Sequence, residues 1–505
     1  MSPERSRETQ TFWQRLLTIA DEQPHAIALR GEALTLDYSS LINELGQRRE
    51  QLRATGAQVV ALILENGPSA LLWDLAILFE GLSCVALPPF FSPDQRRHCL
   101  EKSQADTVIA EPGFAEELQA AGYTPGETLW RRATGNQTRM PAGTAKLTFT
   151  SGTTGTPKGV CLSADSVLTV ARGLFEASQS VGPRHHLTLL PLAILLENIG
   201  CYAALYAGAC ISLPSQNVLG IRGASGVDTP RLLTFLHQRR PDSMILVPQL
   251  LLLLVIASEA SAFDASMLRF AAVGGARVSF DLLKRAQALG LAVFEGYGLS
   301  ECASVVALNR PGAQRAGSVG KPLPHVQLRL ADDGEVLVAG SPMLAYLGES
   351  TPVQAWWPTG DLGEFDADGY LYLKGRKKHQ FVTSFGRNVN PEWVEAELTQ
   401  SGRIAQAFVY GEALPSNHAL LWPSQPDTTD GQLADAVARA NHVLPDYARV
   451  LSWTRLAEPF SPANGLSTVN GRPRREAILD QYRPLFTSSS LTLPLTMPLT
   501  QGTAS

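Results

Sequence analysis

The sequence predicts an α/β protein: a large N-terminal domain of parallel α/β sheets plus a β-subdomain, followed by a small α+β domain at the C-terminus. Three observations predict this. Short apolar runs alternate with helix-period segments over residues 59–110, and again over 229–301. From about Gly317 the alternation gives way to hairpins with Asp-Gly turns. After Gly375 a proline-started helix opens a compact terminal unit. Alternating strands and helices form βαβ units and parallel sheets, which bind ligands at the carboxyl ends of their strands.

The elements follow in order. "FWQRLLTIADEQ" spaces Trp13, Leu16, Leu17 and Ala20 at helical period, and "DYSSLINELGQRREQLRATG" is a second helix closed by Gly56. "VVALIL" reads as a buried strand, "SALLWDLAILFEG" as a helix ended by glycine, and "CVALP" as a strand. "SPDQRRHCLEKS" is a helix with Pro93 in its first turn, and "TVIA" is a strand. "PRLLTFLHQRRP" and "FDLLKRAQALG" are helical. "SMILVP", "LRFAAVGG" and "LAVFEGYGLSE" each begin as strands. "VQLRLADDGEVLVAG" and "GEFDADGYLYLKGR" read as hairpins turning at Asp333-Gly334 and Asp368-Gly369. "NPEWVEAELTQSG" is a helix with Asn390 as N-cap and Pro391 at its first position.

The chain has 505 residues, which implies two or more domains. The expected divisions are 1–375 for the N-terminal domain, with the β-subdomain at about 317–375, and 376–486 for the C-terminal domain. Residues 487–505, rich in Ser, Thr, Pro and Leu, are expected to be a disordered tail. Net charge is -5 with mixed signs throughout, which argues against nucleic acid as partner. The most apolar run, "MILVPQLLLLLVIA", is broken by Pro248 and Gln249 and falls short of the roughly 18 unbroken apolar residues of a membrane span. No stable membrane insertion and a cytoplasmic location are therefore expected. The six cysteines form no CxxC pair, as expected of free thiols in a reducing compartment.

"TFTSGTTGTPKGVCLS", Thr148–Ser163, supplies converging glycines, small hydroxyls and one lysine, the parts of a phosphate cradle. The Walker pattern G-x-x-x-x-G-K-[ST] fails here. Counted from Gly152, it needs glycine at 157 and Ser/Thr at 159, where the chain has Pro157 and Gly159. Pro157 also disfavours the α conformation at Thr156, so no helix opens there. The string instead resembles the phosphate loop of acyl-adenylate-forming enzymes: acyl-CoA synthetases, adenylation domains of peptide synthetases, and luciferase. Further motifs stand in that family's order. They are "GYGLSE" (Gly296–Glu301), "GEVLVAG…AYLG", "TGDLG" (Thr359–Gly363) and "GRKKHQFVTSFGRNVNPEWVE" (Gly375–Glu395). Together they span most of residues 30–480 and look most like long-chain fatty acyl-CoA synthetases.

The resemblance implies the rest. ATP, with Mg2+, would activate a small-molecule carboxylic acid as acyl-AMP, and the acyl group would pass to CoA or to the phosphopantetheine of a carrier protein. Thr150, Ser151, Gly152, Thr153, Thr154, Gly155 and Lys158 would hold the phosphates. Glu301 would bind the metal, with Thr150 helping. Ser300, where the family usually has threonine, would reach the α-phosphate. Gly274, Gly275, Ala276, Gly296, Tyr297 and Gly298 would line the adenine site. Asp361 would hold the ribose, and Arg376 would add a second ribose or phosphate contact. Lys378 would be the hinge of a mobile lid. Two anions must meet in the first step, so charge neutralisation is the physical problem such a site solves.

The sequence also departs from the pattern. In "LPLAILLENIG", Ile194 replaces a usual histidine near the acyl tunnel, Glu197 remains, and Asn198 replaces arginine. An aliphatic wall points to an apolar acid, a medium- or long-chain fatty acid; ordinary core packing is the alternative. Phe385 stands where glycine is frequent, on the loop that lines the family's thiol channel. This leaves open an acyl-AMP ligase that loads a carrier protein or feeds a reductase. "GRPRRE" puts Arg472 where the family has its catalytic lysine. Arginine keeps the charge but replaces a compact ammonium with a planar fork. A catalytically degenerate binding protein is the remaining alternative.

Overall fold

The computed structural model describes residues 6–126, 129–133, 140–150, 158–222, 226–349, 354–468 and 471–486. The chain divides into two compact units, one ending at Lys378 and one beginning at His379.

The larger unit is built on two mixed sheets. In the first, six strands run parallel: Ile27–Arg30, Cys210–Ser212, His185–Leu187, Ser243–Leu246, Phe270–Val273 and Val293–Tyr297. Antiparallel strands close both of its edges. In the second, Thr107–Ala110, Val59–Ile63, Ser83–Ala86 and Thr144–Thr150 run parallel. Beyond them Lys158–Ser163 and then Ala345–Tyr346 add on antiparallel. The parallel core matches the sequence prediction. The antiparallel edge strands were not predicted.

The helix Pro68–Glu80 is buried along almost its whole length and ends at Gly81, whose φ of 71° is the left-handed cap that glycine adopts without strain. Its one charged residue within that buried face, Asp74, meets Lys146 of the Thr144–Thr150 strand in a buried ion pair. Asp74 also accepts hydrogen bonds from Asn198 Nδ2 (2.9 Å) and the Tyr202 hydroxyl. Burial pushes this carboxyl up, but Lys146 and the hydrogen bonds outweigh it and hold it below the usual range. A buried charge is tolerable only with such partners. The apolar run at Met244–Ala257 resolves as the strand Ser243–Leu246 and the helix Pro248–Glu259. Among the described residues no helix is long and apolar enough to cross a membrane. All six cysteines are free thiols.

A four-stranded antiparallel sheet follows, in the order Gln327–Leu330, Glu335–Ala339, Trp357–Phe365, Leu371–Arg376. Both expected hairpins lie in it, with Gly334 and Gly369 at φ 83° and 80° in their turns. The terminal unit carries a three-stranded sheet, Ile404–Tyr410, Asn417–Pro423 and Val450–Arg455, with the helices Pro391–Thr399 and Asp430–Val443 packed on its core. Asn390 caps the first of these helices by accepting from the Glu392 N–H. The expected tail from 487 lies outside the described residues.

Candidate nucleotide site

The quoted loop closes an antiparallel hairpin. Thr144–Thr150 pairs with Lys158–Ser163, and Thr150 stands opposite Lys158. Ser151, Gly152, Thr153, Thr154 and Gly155 lie outside the described residues. The Thr150 hydroxyl donates to the Lys158 carbonyl at 3.3 Å. Gly159 has a packing cause. A Cβ there would come within 2.9 Å of Leu147 Cδ1 and 3.0 Å of Leu347 Cβ. The hydroxyl residue of a Walker loop would crowd both leucines at this position.

Lys158 is exposed, and its Nζ lies 5.2 Å from the centroid of the Tyr346 ring. That is within reach of an attraction between cation and ring face. The same tyrosine donates its hydroxyl to Glu301 Oε1 at 2.9 Å. Glu301 sits in a single 3-10 turn, Ser300–Cys302, reached from the strand Val293–Tyr297. The turn folds back tightly. A Cβ on Gly298 would lie 1.5 Å from the Ser304 carbonyl oxygen, so only glycine fits. Ala303 and Ser304 then take φ of 53° and 87°, a left-handed pair without glycine. Such strain costs about 1–3 kcal/mol per residue and persists where the surroundings enforce it.

Gly274, Gly275 and Ala276 follow the carboxyl end of Phe270–Val273. A Cβ on Gly274 would sit 3.2 Å from the Gly296 carbonyl oxygen, and Gly275 has φ 80°. Gly275 and Ala276 are exposed, so this segment presents bare backbone. Beneath it Glu295 is buried, and Glu295 Oε2 has no hydrogen-bond partner. Burial, partly offset by Arg277, pushes its carboxyl up to about 8.

Asp361 lies on the strand Trp357–Phe365, directly opposite Arg376. Gly360 before it has φ 73° and donates its N–H to Glu335 Oε1 at 2.8 Å. The Asp361 carboxylate is buried and held on both oxygens. The Tyr297 hydroxyl donates to Oδ2 at 2.5 Å, and Arg376 Nε lies 2.9 Å from Oδ1. Arg376 also donates to the Thr359 carbonyl at 3.0 Å. Burial, then the Asp361 charge, push the Tyr297 hydroxyl well above its usual range, so it remains a donor.

The fold thus brings together residues from five separate motifs. Lys158 and Glu301 meet at Tyr346; Tyr297 and Arg376 meet at Asp361. Trp357 packs edge-on to Tyr346, with ring centroids 6.1 Å apart, four residues before Asp361. Sequence reasoning missed Tyr346 and Glu295. Tyr346 was visible only as one letter of "AYLG", because its strand pairs with Val160, 186 residues earlier in the chain. Thr150 and Glu301 offer hard oxygen donors, the kind that suits Mg2+.

Ile194 and Glu197 belong to a different cluster. Ile194 caps the helix Leu195–Ala207 and is half-buried. Glu197 is fully buried. His186 Nε2 lies 3.2 Å from its Oε1, and the Leu190 N–H donates to its Oε2 at 3.0 Å. Cys201 is also near, with the potential ligand atoms of all three residues within 4.8 Å of one another. Both Glu197 oxygens already have partners, so this group pins the helix to residues 186–190.

In the terminal unit, Phe385 stands between the short strands Phe381–Val382 and Asn388–Val389 with its side chain 75% exposed. Arg472 is exposed on a tight turn after Gly471, whose φ is 75°. The Arg472 N–H donates to Thr468 Oγ1 at 3.1 Å, and the Thr468 N–H donates to the Arg472 carbonyl at 2.8 Å. Its neighbour Arg475 points inward instead, 2.8 Å from Glu395 in a mostly buried pair. No lysine follows Lys378 in the sequence, and no cysteine follows Cys302. Lys378 is exposed and is the last residue of the larger unit.

Residues 17–349 match the family described as AMP-binding enzyme, and residues 378–487 match the AMP-binding enzyme C-terminal domain. The long-chain-fatty-acid–CoA ligase FadD15 of Mycobacterium bovis is 26% identical, over 86% of this chain and 89% of that protein. Among solved structures, the anthranilate CoA ligase AuaEII in complex with anthranoyl-AMP superposes with a TM-score of 0.78 at 19% identity, covering 95% of this chain and 98% of the other. The o-succinylbenzoate coenzyme A synthetase MenE of Bacillus subtilis, in complex with ATP and magnesium ion, gives 0.72 at 23% identity, covering 92% and 98%. At these identities the two structures establish the fold.

Proposed function

Because this chain belongs to the AMP-binding enzyme family, we propose that it is an acid–thiol ligase working through an enzyme-bound adenylate. A carboxylate oxygen of the acid attacks the α-phosphorus of ATP, the bond to the β-phosphate breaks, and pyrophosphate leaves. The thiol of CoA then attacks the acyl carbon, and AMP leaves. We take the acid to be apolar, with a medium- or long-chain fatty acid first among the candidates. The aliphatic segment around Ile194 and the similarity to FadD15 over most of both chains support this. Aromatic acids stay within the class, since AuaEII and MenE are named for them.

The residues take these parts. Lys158 and the loop before it grip the β- and γ-phosphates. Glu301 and Thr150 would hold Mg2+, which supplies charge neutralisation on the phosphates. Ser300 donates to the α-phosphate. Asp361 takes the ribose hydroxyls, with Arg376 and Tyr297 keeping its carboxylate in place. The bare backbone of Gly274, Gly275 and Ala276, with Gly296, Tyr297 and Gly298, receives adenine. Arg472 neutralises the carboxylate and α-phosphate, and Lys378 is the hinge residue.

The observation that carries the reading is the pair of contact clusters Lys158–Tyr346–Glu301 and Tyr297–Asp361–Arg376, with Trp357, which packs on Tyr346, on the same strand as Asp361. A panel of acids, from short to long chain and including aromatic acids, tests it by pyrophosphate release with and without CoA. ATP-dependent release with at least one acid is expected, strongest with an apolar one. No release with any acid would remove the proposal. The exposure of Phe385 favours one second reading, transfer to a carrier-protein phosphopantetheine; efficient turnover with free CoA would dismiss it.

A further inference from the structure

The segment 343–347 is laced to two parts of the site at once. The Met343 N–H donates to the Glu301 carbonyl at 2.7 Å. The Leu344 N–H donates to Cys161 and the Leu347 N–H to Gly159, both at 2.8 Å, on the strand that Lys158 begins. Ala345 and Tyr346 pair with Cys161 and Val160. Backbone bonds therefore fix the segment against both the phosphate hairpin and the Glu301 turn. Tyr346 is the side chain this lacing aims between them. Its hydroxyl reaches Glu301, its ring lies near the Lys158 ammonium, and Trp357 packs against it edge-on.

We infer that Tyr346 is a positioning residue of the nucleotide site: its hydroxyl fixes the Glu301 carboxylate for the metal and its ring steadies Lys158 for the phosphates. The inference rests on the nucleotide reading above. A carboxylate on a short 3-10 turn has rotamers to lose, and one donated hydrogen bond selects among them. A lysine side chain has more, and a ring face attracts its charged end. One residue thereby sets the metal and phosphate contacts together, before ligand arrives. Preorganisation of this kind lowers the cost of ordering on binding.

Calorimetry of ATP binding, in Mg2+ and in EDTA, separates the two contacts. Tyr346→Phe keeps the ring and the strand but removes the hydroxyl. It should cut the Mg2+-dependent gain in ATP affinity by about 3–10-fold, the range of an ordinary hydrogen bond. Affinity in EDTA should stay within about twofold. Tyr346→Ala should also weaken binding in EDTA, by about threefold. In a Glu301→Gln background, Tyr346→Phe should change the gain no further, because the two act through one contact. A Phe variant with the full wild-type gain overturns the inference, as do additive effects of the two substitutions. Wild-type protein that binds ATP in neither condition overturns the nucleotide reading itself, and this inference with it.

Discussion

In the larger unit Asp361 takes the Tyr297 hydroxyl on one oxygen and Arg376 on the other, and Glu301 takes the Tyr346 hydroxyl. In the terminal unit Arg472 follows a left-handed glycine on an exposed turn, and Phe385 stands 75% exposed. One region holds its candidate carboxylates inside a web of donors; the other displays its candidate groups at turns. Charges fixed before the reaction contribute most to catalysis, because nothing must reorganise as charge develops. Residues displayed on exposed turns bury little apolar surface, so replacing them costs the fold little. The contrast predicts that substitutions in the larger unit disturb stability and activity together, while those at the exposed turns disturb activity alone.

The sharpest test is Asp361→Ala. It removes the proposed ribose contact and strands Tyr297 and Arg376. Steady-state kinetics should give a loss of about 10³-fold in kcat/KM, and calorimetry a melting temperature lower by several degrees. Activity lost with unchanged melting would break the contrast from this side. Next is Arg472→Ala. Pyrophosphate exchange should fall by about 10²-fold, with melting within about 1 °C of wild type. Arg472→Lys should recover most of the exchange. Exchange within a few-fold of wild type in the Ala variant would refute the role given to Arg472.

A smaller effect is expected at Glu295. Its carboxyl is pushed up to about 8 by burial, so the folded protein keeps a proton that the unfolded chain releases near pH 4.5. The group's contribution to stability is then full below about pH 4.5 and is lost as pH rises to about 8. Glu295→Gln removes that loss. Relative to wild type, its melting temperature should rise between pH 5 and pH 8, by about 2–4 °C at the upper end. A constant difference across that range would mean the carboxyl is ionised in the fold. The smallest effect is at Phe385. Phe385→Ala should leave stability within about 0.5 kcal/mol, as exposed substitutions do. The KM for the thiol acceptor should shift by about two- to fivefold, and an unchanged KM would detach Phe385 from acceptor binding.

Much of the fold was legible because its signals are local. Pro93 and Pro391 start helices, Gly56 and Gly81 end them, and Asp333-Gly334 and Asp368-Gly369 turn hairpins. The helix at Pro248 was legible despite an unbroken apolar face, since the proline divided it from the strand before it. Lys158, Glu301 and Asp361 were legible as members of motifs. The tyrosine links were not. Tyr346 and Glu301 are 45 residues apart, and Tyr297 and Asp361 are 64 apart, so each hydroxyl finds its carboxylate only through tertiary pairing. Glu197 was read either as tunnel wall or as ordinary core packing; it is buried, with bonds to His186 and Leu190 that could not be read from its motif.

The absence of lysine after Lys378 and of cysteine after Cys302 acquires a meaning from the proposed chemistry. An acyl-adenylate is a mixed anhydride, and mixed anhydrides acylate amines and thiols. A guanidinium stays protonated at neutral pH and is a poor nucleophile. With Arg472 in place of lysine, the terminal unit carries a positive charge that cannot be consumed by the intermediate it is proposed to serve. The incoming thiol then faces no side-chain amine or sulfhydryl of that unit as a competitor. Self-acylation of lysine or cysteine, where it occurs, is confined to the larger unit.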